Sequence, residues 1–191
     1  FALAIIGGQV QSVALQWQIY NKVGSAWSLG FIGGIQVLPL FILALPAGHV
    51  SDTMSRKKLL IAMQWLLALW GVVLACLTKI YADGEWLIPA MYGVLLCNAI
   101  TLTFARPARS ALMPQMVPPR IFSNAVTWNS TIFELSMISG PAIGGLILWL
   151  GGPALAYLTN GVLLVACALL SRRFPRERYE PKPHAPGFAS L

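Results

Sequence analysis

The chain has 191 residues, of which 57% are hydrophobic and only 10% charged, with a mean hydropathy of +0.71; that is too little polar surface to cover a water-soluble globule. Its net charge of +7 comes from basic residues clustered between apolar runs, not on a basic face interleaved with aromatics, so lipid is implied as a solvent and nucleic acid is excluded as a partner. Cys76, Cys97 and Cys167 each lie inside an apolar run and are expected as buried small hydrophobes, without disulfide or metal. No zinc spacing, nucleophile elbow or phosphate-cradling loop occurs, so neither a cofactor nor enzymatic activity is expected.

Six apolar runs follow one another, each near the ~20 residues that cross ~30 Å of hydrocarbon at ~1.5 Å per residue. The predicted fold is an all-α membrane protein with spans at residues 1–20, 27–50, 59–81, 86–104, 122–150 and 154–171. Span one carries Gln9, Gln11, Gln16 and Gln18, which suit a helix facing protein or a wet cavity better than a cleaved signal peptide. Span two holds Gly30, Gly33, Gly34, Pro39 and Pro46, a density of breakers that neighbouring helices can tolerate in a membrane. The charged stretch Gly48 to Lys58 reads as a membrane-surface hairpin loop before span three, and Asp83, Gly84 and Glu85 as a polar turn after it.

Beyond span four, the prolines of residues 105–121 (Pro107, Pro114, Pro118 and Pro119) predict a surface loop in place of a continuous helix. Ser123 or Asn124 is the expected N-cap of span five. Gly151, Gly152 and Pro153 make a turn so tight that spans five and six must be antiparallel neighbours. Residues 172–191 form a basic, Pro-rich linker without an apolar period.

Of the thirteen Lys and Arg residues, all but Lys22 and Lys79 fall in one alternating set of connections or in the tail. By the positive-inside rule those connections and both ends of the six-span unit are cytoplasmic. Trp17, Tyr20, Trp27, Tyr81, Trp86, Trp149 and Tyr157 fall near the opposite span ends, as an interfacial aromatic belt would.

The loop pattern formed by Gly48, Asp52, Arg56 and Lys57 resembles the loop motif between the second and third spans of major facilitator superfamily transporters, with Thr53 where a basic residue is usual and Ser55 where Gly is usual. Gly140, Pro141, Gly144 and Gly145 resemble the Gly-Pro-x-x-Gly-Gly motif of its exporter members. The run Pro107 to Pro114 and the opening Gln11 to Ala14 are similar to the bacterial drug and siderophore exporter branch, which the enterobactin exporter typifies.

The resemblance covers all but the tail and implies the amino-terminal half of a twelve-helix transporter, built as two inverted three-helix repeats. It implies a bacterial cytoplasmic (inner) membrane, a small-molecule substrate, and a carboxy-terminal six-helix half as partner. It also implies that Asp52 and Arg56 join the two halves at the cytoplasmic face in one transport state and release in the other, although a solvated surface pair is the plainer reading. For Gly140, Pro141, Gly144 and Gly145 the alternatives are close helix packing and a hinge in span five, where Pro141 frees a carbonyl and bends the helix.

Glu134 is the one acidic residue inside a span, about twelve residues or ~18 Å from Phe122 and so near mid-bilayer. It is the candidate for a coupling proton or a cationic substrate group, against a neutral hydrogen-bonded acid that fixes packing. Many proton-coupled exporters of the family carry an Arg in span four; this chain has none before Arg106, which counts against proton antiport. Gln9, Gln16, Gln36, Asn98, Thr101 and Asn129 are cavity candidates, with interhelical hydrogen bonding the commoner use of such groups. The expected function is secondary active export of amphipathic small molecules by alternating access; an importer of the same family and a non-transporting anchor fused to an enzyme are the alternatives.

Overall fold

The computed structural model describes residues 2–81 and 84–173. Asp83 and nearly all of the expected linker, residues 174–191, lie outside the described residues. Every regular element described is helical: α1 (Ala2–Val23), α2 (Ala26–Thr53), α3 (Arg56–Ile80), α4 (Leu87–Met116), a 3-10 turn at Pro119–Ile121, and α5 (Phe122–Arg172). Among the described residues four helices, α2 to α5, are long and apolar enough to cross a membrane. The glutamines dilute α1, and much of its surface is covered by α5 instead of being left to lipid.

At 51 residues α5 would extend about 76 Å if straight, more than twice the hydrocarbon thickness. It is not straight. Helical geometry fails at Gly151 and at Gly152, whose φ of 69° is a left-handed value that a Cβ would resist. Pro153 then opens the second arm, where its missing N–H costs nothing. Against the first arm, residue 140 faces Gln9 and residue 144 faces Val10 and Val13, so α1 runs parallel to it. Against the second, Ala4 packs near Leu164 and Gln18 meets Tyr157, so α1 runs antiparallel to it. The two arms therefore run in opposite directions with α1 against both.

Lipid is as apolar as leucine, so close packing and buried hydrogen bonds must hold such helices together. Both occur around α1. A Cβ on Gly140 would stand 2.5 Å from Gln9 Cβ, and one on Gly144 would stand 3.0 Å from the Val10 Cα; glycine at both positions lets the two backbones approach. At the far end Tyr157 Oη donates to Gln18 Oε1 at 2.9 Å, and Gln18 Nε2 reaches Thr78 Oγ1 at 3.2 Å, joining α1, α3 and α5. Tyr157 is wholly buried, which corrects its assignment to the aromatic belt; Trp27, Trp86 and Trp149 are exposed as that reading requires. In α4, Tyr92 Oη donates to the Ser28 carbonyl of α2, and Trp70 Nε1 of α3 donates to Thr101 Oγ1.

The Pro-rich segment differs from expectation, because α4 continues through Pro107 and Pro114 to Met116. Ala105, Ala108 and Leu112 recur at helical spacing, and Ala108 and Leu112 bury themselves against Leu59 and Leu60 of α3. That contact outweighs the backbone bonds each proline forfeits. The expected hairpin loop is likewise mostly helix: α2 runs to Thr53, only Met54 and Ser55 interrupt, and Ser55 Oγ accepts from Lys58 N to cap α3. Ser55, one of the two departures from the family pattern, is thus a working N-cap. Ile121, not Ser123 or Asn124, precedes α5, without a side-chain cap. Of the three cysteines, all free, only Cys167 is buried, and Cys76 is exposed on α3.

Two predictions follow from the packing of α1. Gly144→Leu is expected to lower stability by about 1–3 kcal/mol through overpacking, whereas Gly145→Leu, with nothing within 4 Å of its Cβ, stays within about 0.5 kcal/mol of the parent; thermal unfolding in detergent compares the two. Tyr157→Phe leaves Gln18 short of a buried donor and should cost about 1–3 kcal/mol in the same measurement.

Candidate functional site

Between α1, α3 and α4, closed further by Gln36 of α2 and by both arms of α5, lies a cavity of about 490 Å³. Its wall is largely apolar, including Leu15, Leu60, Leu67, Leu102 and Leu164, with a sparse set of amides. A mostly apolar wall with a few convergent polar groups is the usual build of a small-molecule site.

Of the residues anticipated from the sequence, Gln9, Gln36 and Asn98 line this cavity. Gln9 Nε2 also touches Met137 Sδ at 2.7 Å, linking α1 to the first arm of α5. Gln16, Asn129 and Glu134 do not line it. Gln16 is exposed and bonds to Ser12 Oγ at 3.0 Å, while Glu134 is exposed on α5 beside Phe133, which does form part of the wall. Thr101 is buried and spent on two bonds, accepting from Trp70 and donating to the Cys97 carbonyl.

The loop-motif residues lie away from the cavity, at one end of the bundle. Asp52, on the last turn of α2, and Arg56, on the first turn of α3, approach to 3.4 Å, with the Asp52 side chain 73% exposed. Such a pair contributes at most about 1 kcal/mol. Lys57 Nζ donates to the Arg172 carbonyl at 3.0 Å, and the Arg172 guanidinium lies 5.6 Å over the Trp65 ring, so the start of α3 and the end of α5 are tied together. Gly48 and Gly145 face open space, Gly140 and Gly144 face α1, and Pro141 is exposed. The backbone of residues 140–145 remains helical, and the break in α5 comes later, at Gly151 and Gly152.

Gln11, one of the span-one glutamines expected to face protein or a wet cavity, also lines the cavity, whereas sequence reasoning did not single out four further polar lining residues: Gln64, Arg106, Arg109 and Asn160. Arg106 and Arg109 went to the expected surface loop; the continuation of α4 carries them into the wall of the cavity instead. Both arginines follow residue 104, the expected end of span four, and are carried on the same helix, α4. Gln64 and Asn160 are each a lone amide in an apolar run, and that isolation was the available signal.

The family described as transmembrane secretion effector matches residues 2–183. The chain belongs to that family. Transmembrane secretion effectors are transporters of the major facilitator type, and the curated relatives agree with that class. The chain is 23% identical to macrolide efflux protein A of Streptococcus pyogenes over 177 residues, 92% of this chain and 43% of that protein. It is 23% identical to the staphyloferrin A transporter of Staphylococcus aureus over 171 residues, 88% of this chain and 42% of the relative. It is 24% identical to the multidrug efflux pump Tap of Mycolicibacterium fortuitum over 168 residues, 86% and 41% of the two chains. This secretion effector chain thus spans less than half the length of the curated relatives it matches. No solved structure gives a significant match.

Proposed function

We propose that this chain is the amino-terminal six-span half of a secondary active exporter of amphipathic small molecules, with α5 supplying spans five and six as its two arms. The observation that carries this reading is the 490 Å³ cavity, mostly apolar and sparingly polar, within a bundle of apolar helices whose relatives are efflux proteins. The pattern of helix contacts supports an inverted repeat. α1 packs on both arms of α5, α4 packs on α2 and α3, and α3 packs on the second arm; exchanging the first three spans for the last three leaves this set unchanged. Alternating access then consists of this half rocking against a second one around the cavity.

In this reading the Lys57 and Arg172 end of the bundle faces the cytoplasm, since Arg56, Lys57, Lys58, Arg172 and Arg173 gather there and Lys22 and Lys79 lie at the other end. Asp52, exposed and in a long contact with Arg56, is available to a partner half in one transport state. Glu134, exposed on α5 within the span, is the group that would carry a coupling proton between the halves.

The reading is tested with the protein that carries this chain, reconstituted in proteoliposomes and given a substrate panel with and without a proton gradient; outward transport is expected, and none with any substrate would remove it. Asp52→Asn should slow transport severalfold with insertion unchanged, measured beside the parent at equal protein density. Glu134→Gln should abolish the dependence of transport on an imposed pH gradient, read from the ratio of initial rates with and without it.

A further inference from the structure

The outer surface where α3 meets the second arm of α5 takes no part in the cavity. The two helices run antiparallel and in contact: a Cβ on Gly161 would meet the Ala68 carbonyl and Val72, one on Gly71 would meet the Tyr157 carbonyl, and Lys57 Nζ closes on the Arg172 carbonyl. Ala68 to Lys57 and Gly161 to Arg172 are equal steps along the two helices, so the pair stays level to its last turn. On the outward side α3 exposes Lys58, Ala62, Trp65, Leu69 and Val72 at helical spacing, and α5 exposes Val162, Leu169, Arg172 and Arg173 in the same way. Two apolar strips therefore lie side by side, and both end in cations at the same level.

The Arg172 side chain does not take the direction usual at its position. A long cation at the end of a membrane helix ordinarily extends toward water. Helical side chains lean toward the N-terminus of their own helix, which for Arg172 is toward the hydrocarbon, and Trp65 leans the opposite way to meet it. The guanidinium lies 5.6 Å from the centroid of that ring, and Trp65 itself stands seven residues, ~10 Å, along α3 from Lys58. One cation is thus held inward of Lys58 and Arg173, on an exposed aromatic ring and beside open apolar surface. Among the described residues, the Lys58 and Arg173 side chains make no hydrogen bond or ion pair, and the acid at this end, Asp52, lies against Arg56.

We propose that this seam binds an anionic phospholipid. Its phosphate accepts from the Arg172 guanidinium, Lys58 and Arg173 face the rest of the headgroup from the aqueous side, and its acyl chains lie on Trp65, Leu69 and Val162. Charge complementarity selects the occupant. A choline headgroup would bring a further positive charge to three cations, whereas a headgroup of net negative charge meets donors only. A second copy of this chain, docked on the same face about a two-fold axis, would set these cations against their own images. The inference requires that the bundle lie in a membrane and rests on no transport step.

The test is native mass spectrometry of the protein carrying this chain, released from nanodiscs of equimolar phosphatidylglycerol and phosphatidylcholine with matched acyl chains. Phosphatidylglycerol is expected to be retained about tenfold or more over phosphatidylcholine. Lys58→Gln combined with Arg173→Gln should bring that ratio close to one, and Trp65→Leu, which frees the Arg172 guanidinium but keeps an apolar surface, should lower it severalfold with phosphatidylcholine retention unchanged. Arg120→Gln removes an exposed cation from the connection between α4 and α5 and should leave the ratio at the parental value. All four substituted side chains are exposed, so the variants are expected to fold. Equal retention of the two lipids, a parental ratio in the Lys58 and Arg173 double variant or in Trp65→Leu, or a loss on Arg120→Gln as large as that of the double variant overturns the inference. The last result would show a diffuse field of charge in place of a site. Export by proteoliposomes with no lipid preference rejects this site and keeps the transporter; selective lipid retention without transport of any compound does the reverse.

Discussion

The structure depends on how closely α1 approaches α5. In hydrocarbon, apolar side chains gain little by leaving lipid for one another, so helices associate where backbones can touch and where polar groups find partners. Gly140 and Gly144 provide the first condition, removing the Cβ atoms that would collide with Gln9 and Val10. Tyr157 and Asn160 provide the second, by bonding to Gln18 and Gln11. With α1 fixed against both arms of α5, its remaining side face meets α3 and α4 across a gap, and that gap is the cavity.

One helix thereby serves two purposes. Gln11 and Gln18, seven residues apart and so on the same face, are buried and used in fixing α1 to α5. Gln9 and Ser12 look toward the cavity, and Gln16 turns outward to close on Ser12. The glutamines that lower the apolarity of α1 below that of its neighbours are the same groups that anchor it. A helix of this kind is held by protein more than by lipid, whereas α2, broadly exposed and strongly apolar, presents much of its surface outward.

Much of this could be read from the sequence, because length, apolarity and the placement of Lys and Arg are one-dimensional properties. The breaks near Gly24, Met54 and Gly151 fall where turn residues and charges stand. What escaped depends on three dimensions. Pro107 and Pro114 argue locally for a loop, yet Ala108 and Leu112 pack on α3 and keep α4 helical, and with that extension Arg106 and Arg109 pass from expected surface loop to cavity wall. Tyr157 stands where a belt residue would, but the direction of its side chain is set by α1 and α3. Gln64 and Asn160 resemble any isolated amide, and only the packed bundle distinguishes those with satisfied oxygens from those without. The motif residues were legible as residues and less so as geometry: Gly140 and Gly144 lie in unbroken helix, and the departure from helical backbone comes at Gly151 and Gly152.

The sharp reversal in α5 bears on biosynthesis. No charged side chain occurs between Glu134 and Arg172, and the direction of the chain changes within Gly151 and Gly152. Residues 135–171 can therefore leave the insertion machinery as one preformed hairpin, whose tip of Trp149, Leu150 and Pro153 carries no ion through the hydrocarbon. The leading arm needs no hydrophilic segment threaded to the far side before its companion folds back beside it.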